Sequence, residues 1–307
     1  MKKTLSVAAL ALAMTGSALA ADLPHYKAPP PPPPPPPPMW TGFYVGLNAG
    51  GAWAASNSIR TVGAPIPVAN AGVNPAAFGP LAGALAASAS SYLSGGNNSG
   101  FIGGGQIGYN WQFYNSFVAG VEADIQGIAG SSGAQTTVAG APVIGFPGEA
   151  YFGVSSARRS LDYIGTVRGR VGWLFTPTLL AYGTGGLAYG GVNLNSSYFG
   201  GETPAFAGLA PAFGSTSFSD TRVGWTVGGG LEWMFWPNWS AKVEYLYFDL
   251  GNVTTSSFIA HNSGDPLAPG VVAAAATQTT TRFNGNIVRA GINYHFNWGA
   301  PPVVAKY

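Results

Sequence analysis

Eight segments of this sequence alternate large apolar residues with small or polar ones, and in the most regular five every charge keeps to one face. They are Gly42–Trp53, Phe101–Gln112, Phe117–Ile128, Leu161–Phe175, Leu179–Asn193, Arg222–Phe235, Trp239–Leu250 and Asn284–Phe296. A period of two belongs to β-strands whose two faces meet different surroundings. The third segment sets Phe117, Val121 and Ile125 against Glu122, Asp124 and Gln126. The fourth sets Tyr163, Val167, Val171 and Trp173 against Asp162, Thr166, Arg168 and Arg170. In the sixth, Val223, Trp225, Val227, Leu231 and Trp233 oppose Arg222, Thr226 and Glu232. In the seventh, Trp239, Val243 and Tyr245 oppose Lys242 and Glu244, and in the eighth, Val288, Ile292 and Tyr294 oppose Arg289, Asn293 and His295.

Composition decides which face meets what. Only 8% of the 307 residues are charged, against about a quarter in soluble domains, too few for a water-facing skin. The apolar face therefore meets lipid, where a charge at midplane costs about 2–4 kcal/mol, and the charged face lines a lumen. That lumen collects Arg168, Arg170, Arg222, Lys242 and Arg289 with Glu122, Asp124, Asp162, Glu232 and Glu244, five cations against five anions. Balanced charges in a narrow bore pair with one another, because an unpaired buried charge is far costlier. Glycines at positions 46, 50, 104, 108, 183, 185, 224, 228 and 230 are expected to make room for the long side chains.

The connections sort by length. Three are short (Phe113–Ser116, Thr176–Thr178, Trp236–Asn238), four are long (Ala54–Gly100, Ala129–Ser160, Leu194–Thr221, Gly251–Phe283), and the two kinds alternate strictly. Short periplasmic turns and long outer loops are the pattern of an outer-membrane barrel. The fold expected is all-β: a closed eight-stranded antiparallel transmembrane β-barrel with long outer loops, short periplasmic turns and both termini periplasmic. Trp40, Trp111, Trp173, Trp233, Trp236, Trp239 and Trp298 fall near the short turns or terminal strand ends, as a periplasmic aromatic girdle would. In the first long connection, Leu81 to Ser91 is mostly Ala and Ser and argues against a hidden hairpin.

Residues 1–20 read as a signal peptide: Lys2 and Lys3, an apolar run from Leu5 to Met14, and Ala18-Leu19-Ala20, with cleavage between Ala20 and Ala21. The apolar run is too short to span about 30 Å of hydrocarbon. Removing Lys2 and Lys3 leaves a formally neutral chain, without the basic face that nucleic acid demands. Residues 21–39 form a proline-rich periplasmic linker, with Pro29–Pro38 unbroken. Such a run adopts polyproline II and serves as a spacer, a plain tether, or a ligand for a cell-wall or periplasmic partner. The barrel takes residues 40–296, and residues 297–307 a C-terminal periplasmic extension.

Several stretches carry a family resemblance: Trp40-Thr41-Gly42-Phe43-Tyr44-Val45-Gly46-Leu47-Asn48, Leu180–Gly186, Val243–Tyr247 and the closing Asn286–Phe296. From Trp40 to Phe296 the chain resembles the alphaproteobacterial outer-membrane β-barrel family, porin-like relatives of the OmpA transmembrane domain and of the opacity type. The resemblance implies an outer-membrane location, contact with outer-membrane lipid and lipopolysaccharide, and insertion by the barrel-assembly machinery.

Catalytic chemistry is thinly supported. The absence of cysteine excludes a disulfide framework, a thiolate metal site and a cysteine nucleophile. Gly103–Gly105 and Gly228–Gly230 lack the following Lys-Ser/Thr of a phosphate loop, and Gly183–Ala188 sits inside an alternating strand. His25, His261 and His295 have no metal-ligand spacing. His261, Ser263 and Asp265 share one loop, but a triad needs a rigid scaffold, and no cofactor is expected. The leading expectation is a structural barrel with exposed loops and a filled lumen. The alternatives are a small-solute pore and, less favoured, an outer-membrane enzyme.

Overall fold

The computed structural model describes residues 40–68, 75–94, 99–130, 133–202, 211–262 and 270–296. The expected leader with Ala20 and Ala21, the proline linker and the C-terminal extension lie outside these residues. Eleven strands and one helix follow in order: β1 (Gly42–Ala54), β2 (Ile59–Ile66), α1 (Pro75–Ala89), β3 (Ser91–Leu93), β4 (Ser99–Phe113) and β5 (Phe117–Gly130). Then come β6 (Gln135–Pro142), β7 (Ala150–Thr176), β8 (Leu179–Glu202), β9 (Ala212–Trp236), β10 (Trp239–Asn262) and β11 (Val271–Phe296). Eight of them pair antiparallel in the order β1-β4-β5-β7-β8-β9-β10-β11, and β11 pairs back onto β1, from Phe43 opposite Phe296 to Ala54 opposite Gly285.

The turns at one end of this ring are as tight as their sequences require. Pro177-Thr178 and Pro237-Asn238 each separate paired residues, Thr176 with Leu179 and Trp236 with Trp239, and proline presets the first turn position. Between β4 and β5, Tyr114 and Asn115 have φ of 49° and 59°, the left-handed backbone that lets a hairpin close with the twist of its strands.

The other end departs from expectation. Three of the connections expected as loops are mostly strand, because β7 to β11 run 24 to 27 residues each, far beyond the roughly 9–11 that cross a bilayer. Their upper halves escape an apolar criterion because Ser, Thr and Gly interrupt an outer face that carries only scattered large apolar residues, Phe152, Phe199, Phe213 and Phe258 among them. Hydroxyl pairs join the strands here, Thr254 to Thr280 at 3.1 Å on the outer face, and Ser257 to Thr277 at 2.7 Å and Thr216 to Thr255 at 2.7 Å on the inner one. The first connection also holds structure. Strand β2 pairs with β11, β3 pairs with β2, and the Ala-rich stretch from Leu81 that lacks strand alternation is helical, as alanine's propensity favours. Helix α1 packs on β2, β11, β7 and β6, and a Cβ at Gly63 would collide with the Ala86 carbonyl.

Inside the ring the side chains form layers. Nearest the turns lie Trp40, Val118, Leu174, Leu180, Tyr182 and Met234. The charged residues come next, then an apolar layer that includes Ile102, Ile164, Val192, Leu246, Phe248 and Phe283. Hydroxyls follow, and at the top Leu81, Leu85, Tyr151, Tyr198, Ile259 and Ala273 form a second core under α1. The outer face below carries exposed Leu47, Ile107, Val121, Val167, Val171, Leu231 and Ile292, an apolar belt around the charged layer.

Trp40 corrects the girdle. Trp111, Trp173, Trp233, Trp236 and Trp239 are exposed on the outer face, but Trp40 is 0% exposed. Its indole donates to the Pro177 carbonyl at 3.0 Å and meets the His295 ring edge-on, so it stops the turn end of the bore. Trp298 lies outside the described residues.

A charge cluster in the bore as candidate functional site

The cluster is built from alternate residues of β5, β7, β9, β10 and β11. Glu122 and Asp124 come from β5, Arg168 and Arg170 from β7, Glu232 from β9, Lys242 and Glu244 from β10, and Arg289 from β11. All eight are buried. Some contacts join register neighbours: Arg168 pairs with Glu122 beside it, and Arg289 donates through Nε to Glu244 at 2.8 Å. Others cross the bore. Arg168 reaches Glu244 at 2.9 Å, Arg170 reaches Glu232 at 2.6 Å, Arg289 reaches Asp124 at 2.9 Å and Lys242 reaches Glu122 at 3.0 Å. Lys242 stands opposite Glu232 in register, yet its ammonium bonds Glu122 across the bore.

Four cations and four anions therefore interlock, and Asp162 and Arg222 stay outside. A bulge between Leu161 and Tyr163 inserts one residue into β7 and shifts the side-chain alternation. Thr166, Arg168 and Arg170 point inward below it, whereas Ala157 and Arg159 are the buried residues above it. Asp162 is left exposed, accepting from Asn193 at 2.8 Å. Arg222 lies too far up β9 and donates to the Asn252 carbonyl at 3.1 Å.

Neutral residues complete the cluster, and an inventory of charges alone overlooks them. The Tyr44 hydroxyl donates to Glu122 at 2.6 Å and accepts from Arg170 at 3.0 Å. Tyr182 donates to Glu244 at 3.1 Å, and its ring carries the Arg170 guanidinium 4.0 Å from its centroid. Glu232 accepts from Ser240 at 2.6 Å and Asn293 at 2.7 Å, with His295 at 3.5 Å. Asp124 accepts from Thr166 at 2.8 Å and Gln126 at 3.0 Å. Strand parity alone reveals Tyr44 and Tyr182, since each shares the inward face of its strand. Cβ atoms at Gly108 and Gly230 would collide with these two rings, which is the space the glycines were expected to provide. Gly183 and Gly185 are instead exposed on the outer face.

Among the described residues, no group of three or more His, Asp or Glu could hold a metal ion. His261 is buried at the top of the bore against Tyr151, its Nδ1 3.4 Å from Glu202, while Ser263 and Asp265 lie outside the described residues. Burial and a hydrogen bond to Glu202 raise the Tyr151 phenol above its ordinary pKa.

A family model described as outer membrane protein beta-barrel domain matches residues 6–296. The chain is 32% identical over 296 residues to the 31 kDa outer-membrane immunogenic protein of Brucella melitensis biotype 1, covering 96% of this chain and all of that one. It is 32% identical to the 22 kDa outer membrane protein of Rhizobium leguminosarum over 148 residues, 48% of this chain and 52% of that one. The crystal structure of OprG from Pseudomonas aeruginosa aligns with 12% identity and a TM-score of 0.35, covering 83% of this chain and 97% of that one.

Proposed function

Because this chain belongs to the outer membrane protein beta-barrel family, we propose that it is a structural, non-conducting barrel of eight transmembrane strands bearing a tall β-structured head outside the cell. The family places it in the outer membrane as an antiparallel β-barrel protein. The observation that carries the finer reading is the interlocked cluster of four cations and four anions, which spans the bore between two apolar layers. An eight-stranded barrel is about as wide as the side chains that fill it, whereas water-filled porins use about 16–18 strands. Ions crossing this bore would have to break several buried charge pairs at once.

In this reading the three short turns face the periplasm, and both termini leave on that side, since β1 begins beside the end of β11. Residues 1–20 are a leader cut between Ala20 and Ala21, and residues 21–39 a tether open to a cell-wall or periplasmic partner. Lipid and lipopolysaccharide surround the belt, and the barrel-assembly machinery inserts it. Catalysis has no part in this reading. The test is single-channel recording on the refolded protein in planar bilayers, where the expected result is no stable large-conductance opening. Stable porin-sized steps from a monodisperse sample would replace the structural reading with the small-solute pore.

A further inference from the structure

Strands β1, β4 and β5 reach no higher than Ala54, Ser99 and Gly130, and above them the wall is continued by the short strands β2 and β3, paired onto β11, and β6, paired onto β7. A cavity of about 250 Å³ lies at this seam, above the charge cluster, with Ala52, Ile128, Leu161, Phe248 and Phe283 among its lining. Arg159 also lines it and is only 4% exposed. Its guanidinium donates to the Arg282 carbonyl at 2.7 Å, Asn57 Oδ1 at 2.9 Å, the Ser56 carbonyl and Thr281 Oγ1 at 3.3 Å. All four acceptors are neutral. Each arginine of the bore cluster, by contrast, touches two or three carboxylates. Burial pushes the Arg159 pKa down to about 10. A buried cation held only by neutral acceptors and the Phe283 ring, whose centroid is 5.8 Å away, lacks the counter-charge that makes such burial stable.

We propose that this cavity binds a monoanionic amphiphile, whose charged head neutralises the Arg159 guanidinium while its hydrocarbon lies against Phe248, Phe283 and Leu161. Net charge selects the class. The one buried guanidinium whose acceptors are all neutral, Arg159, matches one negative charge and disfavours a polyanion. The volume lies near the small end of ligand sites, about 300–1,000 Å³, so a short or medium chain fits. The head group is either a free carboxylate or the phosphodiester of a membrane lipid: four of the five guanidinium N–H already donate, so either head answers the cation through its charge and the remaining Nε–H.

The experiment titrates decanoate into full-length protein in phosphatidylcholine nanodiscs by calorimetry, with empty nanodiscs subtracted. One saturable site is expected, with no binding of decanol. Arg159→Gln should weaken decanoate about tenfold or more, the loss of one charge-assisted contact. Ala52→Phe should abolish binding by filling the cavity with Arg159 intact, and folding is checked by heat-modifiable gel mobility. Wild-type affinity in Arg159→Gln, equal binding of decanol, or no binding beyond empty nanodiscs would each overturn the proposal. Where Arg159→Gln does not fold, the decanol comparison and Ala52→Phe decide. Repeating the titration with phosphatidylglycerol in the nanodiscs separates the sources: displacement of decanoate makes the occupant a membrane lipid, and unchanged binding makes it a free amphiphile. Failure here would leave the sealed bore below untouched, because conductance tests that separately.

Discussion

Replacing Arg170 by methionine should destabilise the barrel more than the same change at Arg289, although both are buried arginines of one cluster. Without Arg170, Glu232 loses its 2.6 Å guanidinium partner and keeps the neutral donors Ser240 and Asn293, with His295 at 3.5 Å. Removing one partner of a buried pair costs about 3–5 kcal/mol, and the lost stacking on Tyr182 adds about 0.5–2 kcal/mol. Without Arg289, Glu244 retains Arg168 at 2.9 Å and Lys242 at 3.9 Å, and Asp124 retains Arg168 at 2.8 Å. That loss is closer to charge-assisted hydrogen bonds alone, about 1.5–3 kcal/mol. Methionine holds much of the volume in both variants, so packing changes little. The gap between the two should therefore be about 3 kcal/mol, roughly 150-fold in the unfolding equilibrium. Urea unfolding in phosphatidylcholine vesicles, followed by tryptophan fluorescence and heat-modifiable mobility, measures it. A further check follows from the sign of the orphaned charge: Arg170→Met with Glu232→Gln should be more stable than Arg170→Met alone. An equal or reversed order of the single variants, or further loss in the double variant, would refute the reasoning.

Three other outcomes are expected. Cysteines replacing Asn238 in a short turn and Thr254 on the exposed head should differ in intact cells, with a membrane-impermeant maleimide labelling only position 254; labelling at 238 would invert the orientation. Tyr44→Phe removes the hydroxyl between Arg170 and Glu122 and should cost about 1–3 kcal/mol in the same urea assay, whereas an unchanged midpoint would place that hydroxyl outside the cluster. Trp40→Ala should cost about 3–5 kcal/mol as a buried aromatic lost, yet planar-bilayer recordings should show no new conductance because the charged layer remains; stable openings would make Trp40 the seal.

The membrane-facing pattern of this protein was legible in its residues because lipid imposes a strict rule on every second side chain. Val121, Val167, Leu231 and Ile292 read as outward, and Glu122, Arg168, Glu232 and Arg289 as inward, from parity alone. Even one contact was legible: β10 and β11 are neighbours, which puts Glu244 beside Arg289. Parity then failed wherever its counting was interrupted or its rule lapsed. The bulge at Asp162 inserts a single residue, invisible in composition, and moves that carboxylate out of the bore. In the far halves of β7 to β11 Ser, Thr and Gly break the outward series into scattered residues such as Phe152, Phe199, Phe213 and Phe258, so these halves looked like loops. Trp40 precedes the first strand, where alternation says nothing about which side a ring takes. Most of all, the bonds from Arg170 to Glu232, Lys242 to Glu122 and Arg289 to Asp124 cross the bore. Such contacts depend on the width of the ring and the stagger of its strands, quantities that arise only when all eight strands pair, and no local run of residues encodes them.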